Sequence, residues 1–191
     1  MTSLEELGKH YGTDKVYHRY LPHYEQWFSH LCDSEITLCE IGVLRGASLR
    51  MWRDYFKYGT IYGIDIEPSR AFQLSRLHVL VGSQNDTVFL DRAKLSIRAV
   101  DIVIDDGSHQ AADQTTSFHA LWPIVKPDGW YCVEDCHLML KDGFNNKGSD
   151  PTLINYVSNR LSRILAGRSP IKELHIIGEG HKSGLIAMRK R

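Results

Sequence analysis

The sequence lacks the features of a membrane span, a secreted chain or a nucleic-acid grip. No apolar run reaches the roughly 18 residues that crossing a bilayer requires. Lysine plus arginine equals aspartate plus glutamate, 23 against 23, so the formal net charge is zero. That balance offers no basic face to a phosphate backbone or an anionic membrane, and neither partner is expected. The opening residues, Met1-Thr2-Ser3-Leu4-Glu5-Glu6, lack a basic stretch followed by an apolar core, so no secretion signal is expected. Cysteine is scarce: Cys32, Cys39, Cys132 and Cys136. They lack the C-x-x-C pairs of a structural zinc site. Cys39 and Cys132 fall inside apolar strand candidates and read as buried thiols, which fits a reducing cytoplasm. Repeats and low-complexity tracts are absent too, and 191 residues suit one domain with a real core.

What is present is an alternation of strands and helices. Residues 2–11 and 19–32 read as helices separated by the polar turn Tyr11-Gly12-Thr13-Asp14-Lys15. The second is rich in aromatics (Tyr20, Tyr24, Trp27, Phe28), so residues 1–35 form a helical cap that must pack on something. Strands are expected at Thr37–Ile41, Thr60–Asp65, Val79–Val81, Val100–Ile104 and Gly129–Val133. Helices are expected at Leu49–Tyr55, Ser69–Leu77, Asp86–Leu95 and Gln110–Val125. Residues 138–151 read as a mobile polar loop, and Leu153–Leu165 as a helix. Two last strands, Ile171–Ile177 and Ser183–Arg189, are joined by the glycine-bearing residues 178–182, as in a hairpin. The pattern predicts an α/β fold over 1–191: a mainly parallel, seven-stranded sheet spanning 36–191, closed by an antiparallel hairpin.

Two acidic clusters stand directly after strand candidates. Asp105-Asp106-Gly107-Ser108-His109 follows Asp101–Ile104, and Glu134-Asp135 follows Trp130–Val133. In an open α/β sheet, ligands bind outside the carboxyl ends of the strands, so both clusters open onto one crevice. Converging carboxylates repel one another unless a cation lies among them. Each cluster alone has a plainer reading, helix capping or solvated loop charge; their joint occurrence favours a site. Oxygen donors from Asp106, Glu134 and Asp135 suit Mg²⁺. Zinc, drawing on Cys136 and His137, stays open as the lesser alternative. His109 lies three residues after Asp106, a spacing that puts both on one side of a helical turn. A histidine there can act as general base on a hydroxyl acidified by the metal.

The cofactor signals precede the clusters. Glu40-x-Gly42-x-x-x-Gly46 sits at a strand-to-helix junction, where free N–H groups and a close backbone approach are available. Its spacing is not that of dinucleotide folds. Asp65 ends the next strand and can accept from ribose hydroxyls, and Gly82-Ser83-Gln84-Asn85-Asp86 can meet a purine edge. The acidic residue of the first strand, the relaxed glycine spacing and the terminal hairpin resemble class I S-adenosylmethionine methyltransferases, with their Rossmann-like fold.

A narrower resemblance rests on Tyr11-Gly12-Thr13-Asp14-Lys15 with His18, Tyr20 and Tyr24; on Glu40-Ile41-Gly42-Val43, Gly46 and Ser48; on Gly63-Ile64-Asp65; on Gly82-Ser83-Gln84 with Asp86; and on Ile104–His109 with Val133-Glu134-Asp135. The chain resembles the magnesium-dependent sugar O-methyltransferases of the mycinamicin and macrocin type, and also a compact methylmannoside O-methyltransferase of mycobacteria. The resemblance implies that Asp106, Glu134 and Asp135 hold Mg²⁺ and that His109 is the base. It places Glu40, Gly42, Gly46, Ser48, Asp65, Gln84, Asp86, Asp105 and Lys15 on the S-adenosylmethionine side. It implies a saccharide-containing acceptor; a homodimer is also expected. The macrolide-type relatives carry a long N-terminal domain not seen in this sequence, so a different acceptor pocket and assembly are expected. Two other functions compete. One is methylation of a catechol or phenol; the other is a non-catalytic S-adenosylmethionine-binding subunit.

Overall fold

The computed structural model describes residues 2–70, 72–144, 152–178 and 183–191. The hairpin loop 179–182 and the segment 145–151 expected to be mobile lie outside the described residues.

The N-terminal cap comprises α1 (Leu4–Tyr11) and α2 (Leu21–Phe28). Ser3 starts α1 with a capping box: its side chain accepts from the Glu6 N–H, and the Glu6 carboxylate accepts from the Ser3 N–H at 2.8 Å. Such a cap stabilises a helix by about 1 kcal/mol. Gly12 ends α1 in the left-handed conformation, φ +70°, which glycine adopts without steric cost. The chain then turns through a 3₁₀ turn, Asp14–Val16, before α2. Glu25 binds the helices together, accepting from the Leu4 N–H at 2.6 Å and from the Tyr55 hydroxyl at 2.9 Å.

The core is a sheet of eight strands among the described residues: β1 (Thr37–Ile41), β2 (Thr60–Asp65), β3 (Gln73–Leu74), β4 (Leu77–Val81), β5 (Val100–Asp105), β6 (Val125–Val133), β7 (Ile171–Gly178) and β8 (Gly184–Lys190). Their order is β3-β4-β2-β1-β5-β6-β8-β7. Strands β4, β2, β1, β5 and β6 are parallel; β3, β8 and β7 run against their neighbours. The connecting helices are α3 (Ala47–Tyr55), α4 (Thr87–Ile97), α5 (Ala111–Leu121), α6 (Leu153–Ser158) and α7 (Leu161–Leu165). The chain order reverses between β1 and β5, which makes the switch point where ligands bind in such sheets.

Each face of the sheet buries its own apolar layer. One joins α1, α2 and α3 to Leu38, Ile61, Ile102 and Trp130; there Trp27 stacks on Trp130 with ring centroids 5.1 Å apart. The other joins α4, α5 and α6 to Cys39, Val103, Tyr131 and Met188. No described helix is long and apolar enough to cross a membrane.

Three expectations are corrected here. The sheet has eight strands rather than seven. Ser69–Leu77 is no helix: a 3₁₀ turn, Pro68–Arg70, precedes the two-residue strand β3, and Leu77 already belongs to β4. Leu77 pairs with Ile61 of β2 and is fully buried in the core, and Gln73-Leu74 turn back on β4 as a short antiparallel edge. The expected helix Leu153–Leu165 is two short ones, α6 and α7.

Candidate active site

Strand register assembles the site. Ile41, Asp105 and Val133 stand level across β1, β5 and β6, so Gly42, Asp106 and Glu134 emerge side by side. The ladder extends through them: the Asp106 N–H donates to the Ile41 carbonyl at 2.9 Å, and the Glu134 N–H to the Asp105 carbonyl at 2.9 Å. Gly42 has φ +93°, and a Cβ there would lie 2.1 Å from the Asp106 carbonyl oxygen. Only glycine lets the two turns meet at the switch point.

Beside this junction opens a cavity of about 820 Å³. Gly42, Ser48, Asp65, Gln84, Asp106 and His109 line it, with Tyr11–Asp14 along one rim. Asp65 is held by the chain itself. Its carboxylate accepts from the N–H groups of Val43 at 2.8 Å, Leu44 at 3.2 Å and Glu67 at 2.9 Å, and from the Arg70 guanidinium at 3.1 Å. Burial pushes Asp65 up, but those donors outweigh it and hold the carboxyl below its usual range. Gln84 bridges two turns, donating to Asp105 at 3.1 Å and accepting from the Ser108 N–H at 2.7 Å.

The other residues expected on the cofactor side sit off the cavity lining. Asp105 is fully buried, held by Gln84, the Ser117 hydroxyl and the Tyr131 hydroxyl. Gly46 begins α3 at φ +71°, against the Phe72 ring. Asp86 caps α4, accepting from the N–H groups of Val88 at 2.9 Å and Phe89 at 3.1 Å. Glu40 and Lys15 lie beneath the cavity, both wholly buried.

Lys15 is the centre of the acidic cluster. Its ammonium is 2.9 Å from Glu40, 2.6 Å from Asp106 and 2.8 Å from Glu134. Burial alone would lower Lys15; the three carboxylates outweigh it and hold the amine well above its usual value. Burial pushes Glu134 up, and the neighbouring charge of Asp106 adds to it. One ammonium cannot neutralise Glu40, Asp106, Glu134 and the nearby Asp135 together. The excess negative charge requires protons or a further cation.

The donor set fits a hard divalent ion. Asp106, His109 and Asp135 each offer a potential ligand atom, all within 4.8 Å of one another, and all three are partly exposed. Glu134 stands next to Asp135 but engages Lys15 with both oxygens, at 2.9 and 2.8 Å. His109 Nε2 lies 3.8 Å from Asp135 Oδ2, while its buried Nδ1 has no hydrogen-bond partner.

A methyltransferase-domain family model matches residues 39–136, just over half of the chain. The chain belongs to this methyltransferase family. It is 36% identical to demethylmacrocin O-methyltransferase of Streptomyces fradiae, aligned over 92% of this chain and 50% of that protein. It is 40% identical to mycinamicin VI 2''-O-methyltransferase of Micromonospora griseorubida, over 78% of this chain and 39% of that protein. The chain thus spans about half, or less, of the length of these relatives. Its fold superimposes on the MycE methyltransferase of the mycinamycin pathway, solved with Mg, SAH and mycinamycin VI. That likeness has a TM-score of 0.86 at 33% identity, covering 99% of this chain and 53% of the other.

The matched methyltransferase span includes Glu40, Asp65, His109 and Asp135 but not Lys15. The helical spacing expected to bring His109 to Asp106 is not what does so. Helix α5 starts at Ala111, and His109 precedes it in the left-handed conformation, φ +58°. Asp135 is also left-handed, φ +51°. Such backbone costs about 1–3 kcal/mol in a non-glycine residue and often marks a functional site. Two features went unread in the sequence. Asp113 binds Ser108 and Asn85 at the cavity edge, and Ser117 supports Asp105 from one turn further along α5. The polar spacing Asp113, Gln114 and Ser117 on a helix beside an acidic strand end was the available signal.

Proposed function

We propose that this methyltransferase moves the methyl group of S-adenosylmethionine to a hydroxyl of a saccharide, on a sugar, an oligosaccharide or a glycosylated natural product, in an Mg²⁺-dependent reaction. The observation that carries the reading is the juxtaposition of the carboxylates Asp106 and Asp135, whose oxygens lie within 4.8 Å of each other and of a His109 nitrogen, with the cavity at the switch point. The names of the sugar O-methyltransferases that it resembles support the acceptor class.

Asp106 and Asp135 would hold the ion, and Glu134 would join them by turning one oxygen away from Lys15. Gly42, Ser48, Asp65 and Gln84 would line the cofactor's place. Bound Mg²⁺ would acidify an acceptor hydroxyl, and S-adenosylmethionine would supply the methyl group. His109 takes the hydroxyl proton on Nε2, and the Asp135 carboxylate beside that nitrogen stabilises the imidazolium that forms. Asp65, already anchored to the β1 turn, fixes the cavity wall before any ligand arrives, which limits the ordering cost of binding.

A radiolabelled-methyl assay across sugars, glycosides and catechols, with Mg²⁺ or with chelator, tests the reading. Transfer to a sugar hydroxyl that stops on chelation is the expected result. Transfer to catechols alone would assign the acceptor to the phenol class. Absence of S-adenosylmethionine binding by calorimetry would remove the methyltransferase activity altogether.

A further inference from the structure

The segment from Lys15 to Tyr24 lies outside the span matched to the family, yet it touches each carboxylate expected to hold the metal. Lys15 reaches Asp106 and Glu134, the Tyr24 hydroxyl donates to Glu134 at 2.7 Å, and the Tyr20 hydroxyl donates to Asp135 at 2.8 Å. The Tyr20 contact is the most constrained. A phenolic hydroxyl has one proton and two lone pairs. Two acceptors lie within reach of that proton, Asp135 Oδ1 at 2.8 Å and the Gly184 carbonyl at 3.3 Å, and the shorter contact to a charged carboxylate is the stronger. The lone pairs face the N–H groups of Asp135 at 3.3 Å and Gly184 at 3.2 Å. One buried oxygen therefore grips the Asp135 side chain, its backbone and the first residue of β8. The same oxygen thereby also ties down the Asp135 backbone, which takes the left-handed conformation at φ +51°.

We propose that Tyr20 is a positioning residue of the metal site, its hydroxyl aiming the Asp135 carboxylate at the point it shares with Asp106, beside His109. The inference rests on the metal-dependent reading above. Groups that orient metal ligands through hydrogen bonds commonly change metal affinity or activity by about 10–100-fold when removed.

Tyr20→Phe separates this role from packing. The ring keeps its stack on His18, 5.5 Å between centroids at 15°, and only the hydroxyl is lost. Calorimetric titration of Mg²⁺ into wild-type and variant protein, each with and without S-adenosylmethionine, reads the effect. Thermal melting checks that the variant is folded, and cofactor titration without metal reads the cavity. The expected result is a Mg²⁺ dissociation constant raised about 10–100-fold, with metal-free cofactor affinity unchanged. Wild-type binding of Mg²⁺ with an equal affinity in Tyr20→Phe overturns the inference alone. A wild-type protein that binds no Mg²⁺ overturns the metal-dependent reading, and the inference with it.

Discussion

The Lys15 ammonium lies 2.6 Å from a carboxylate oxygen of Asp106, 91 residues further along the chain. That contact joins the N-terminal cap to the switch point of the sheet. It also places a fixed positive charge under the acidic cluster.

Lys15→Met should therefore be costly. Removing one partner of a buried ionic network leaves the others uncompensated, at about 3–5 kcal/mol. Urea denaturation would show the loss. The double variant Lys15→Met, Glu134→Gln should recover part of it, because one of the stranded charges is gone. Equal stability of wild type and Lys15→Met would mean that the network contributes nothing.

Gly42→Ala should disrupt the cavity at its narrowest backbone contact. The added methyl would lie 2.1 Å from the Asp106 carbonyl oxygen, on a residue with φ +93°. A destabilisation of more than about 1 kcal/mol is expected from the conformation alone, with S-adenosylmethionine binding weakened at least roughly tenfold, the loss that about 1.4 kcal/mol of misfit at the β1 turn represents. Calorimetry on the folded variant would decide it, and unchanged affinity would separate this turn from the cofactor.

Asp86 discriminates capping from ligand binding. Its carboxylate already accepts two N–H groups of α4. Asp86→Ala should cost about 1 kcal/mol through the lost cap while leaving cofactor affinity within about twofold of wild type, well below the tenfold that 1.4 kcal/mol represents. A large loss of cofactor affinity at full stability would return Asp86 to the binding site.

The pH dependence of stability should carry the signature of Asp65. Its folded carboxyl lies below the usual value of 3.8, because backbone N–H groups and Arg70 stabilise the charged form against burial. A depressed folded value means that the stabilisation is fully present above the unfolded value. It is lost as pH falls through the folded value. The stability difference between wild type and Asp65→Asn should thus be greatest above about pH 4 and shrink with further acidification. A constant difference across that range would contradict the assignment.

The strand ends were the most legible part of the sequence. Short apolar runs followed at once by Asp65, Asp105-Asp106 and Glu134-Asp135 marked both the parallel strands and the side on which the site lies. Lys15 was legible as a candidate but not in its role. Its partners are 25, 91 and 119 residues away in sequence, and only the strand order brings them together. Strand β3 was illegible because two residues carry no periodicity, and pairing with β4 decides their conformation. The full length of β6 was hidden in a similar way. The expected helix ran to Val125 and the expected strand began only at Gly129, yet β6 already starts at Val125, and Pro127 with the left-handed Asp128 forms an irregularity within a strand that resumes pairing at Trp130.

The central claim is that His109, beside Asp106 and Asp135, is the base for methyl transfer. The most direct measurement is the rate of methyl transfer by wild type and His109→Ala at saturating S-adenosylmethionine and Mg²⁺, on an acceptor found in the sugar screen. The account predicts a fall of about 10²–10⁴-fold, with cofactor affinity essentially unchanged. A variant that turns over at a rate comparable to wild type would contradict it.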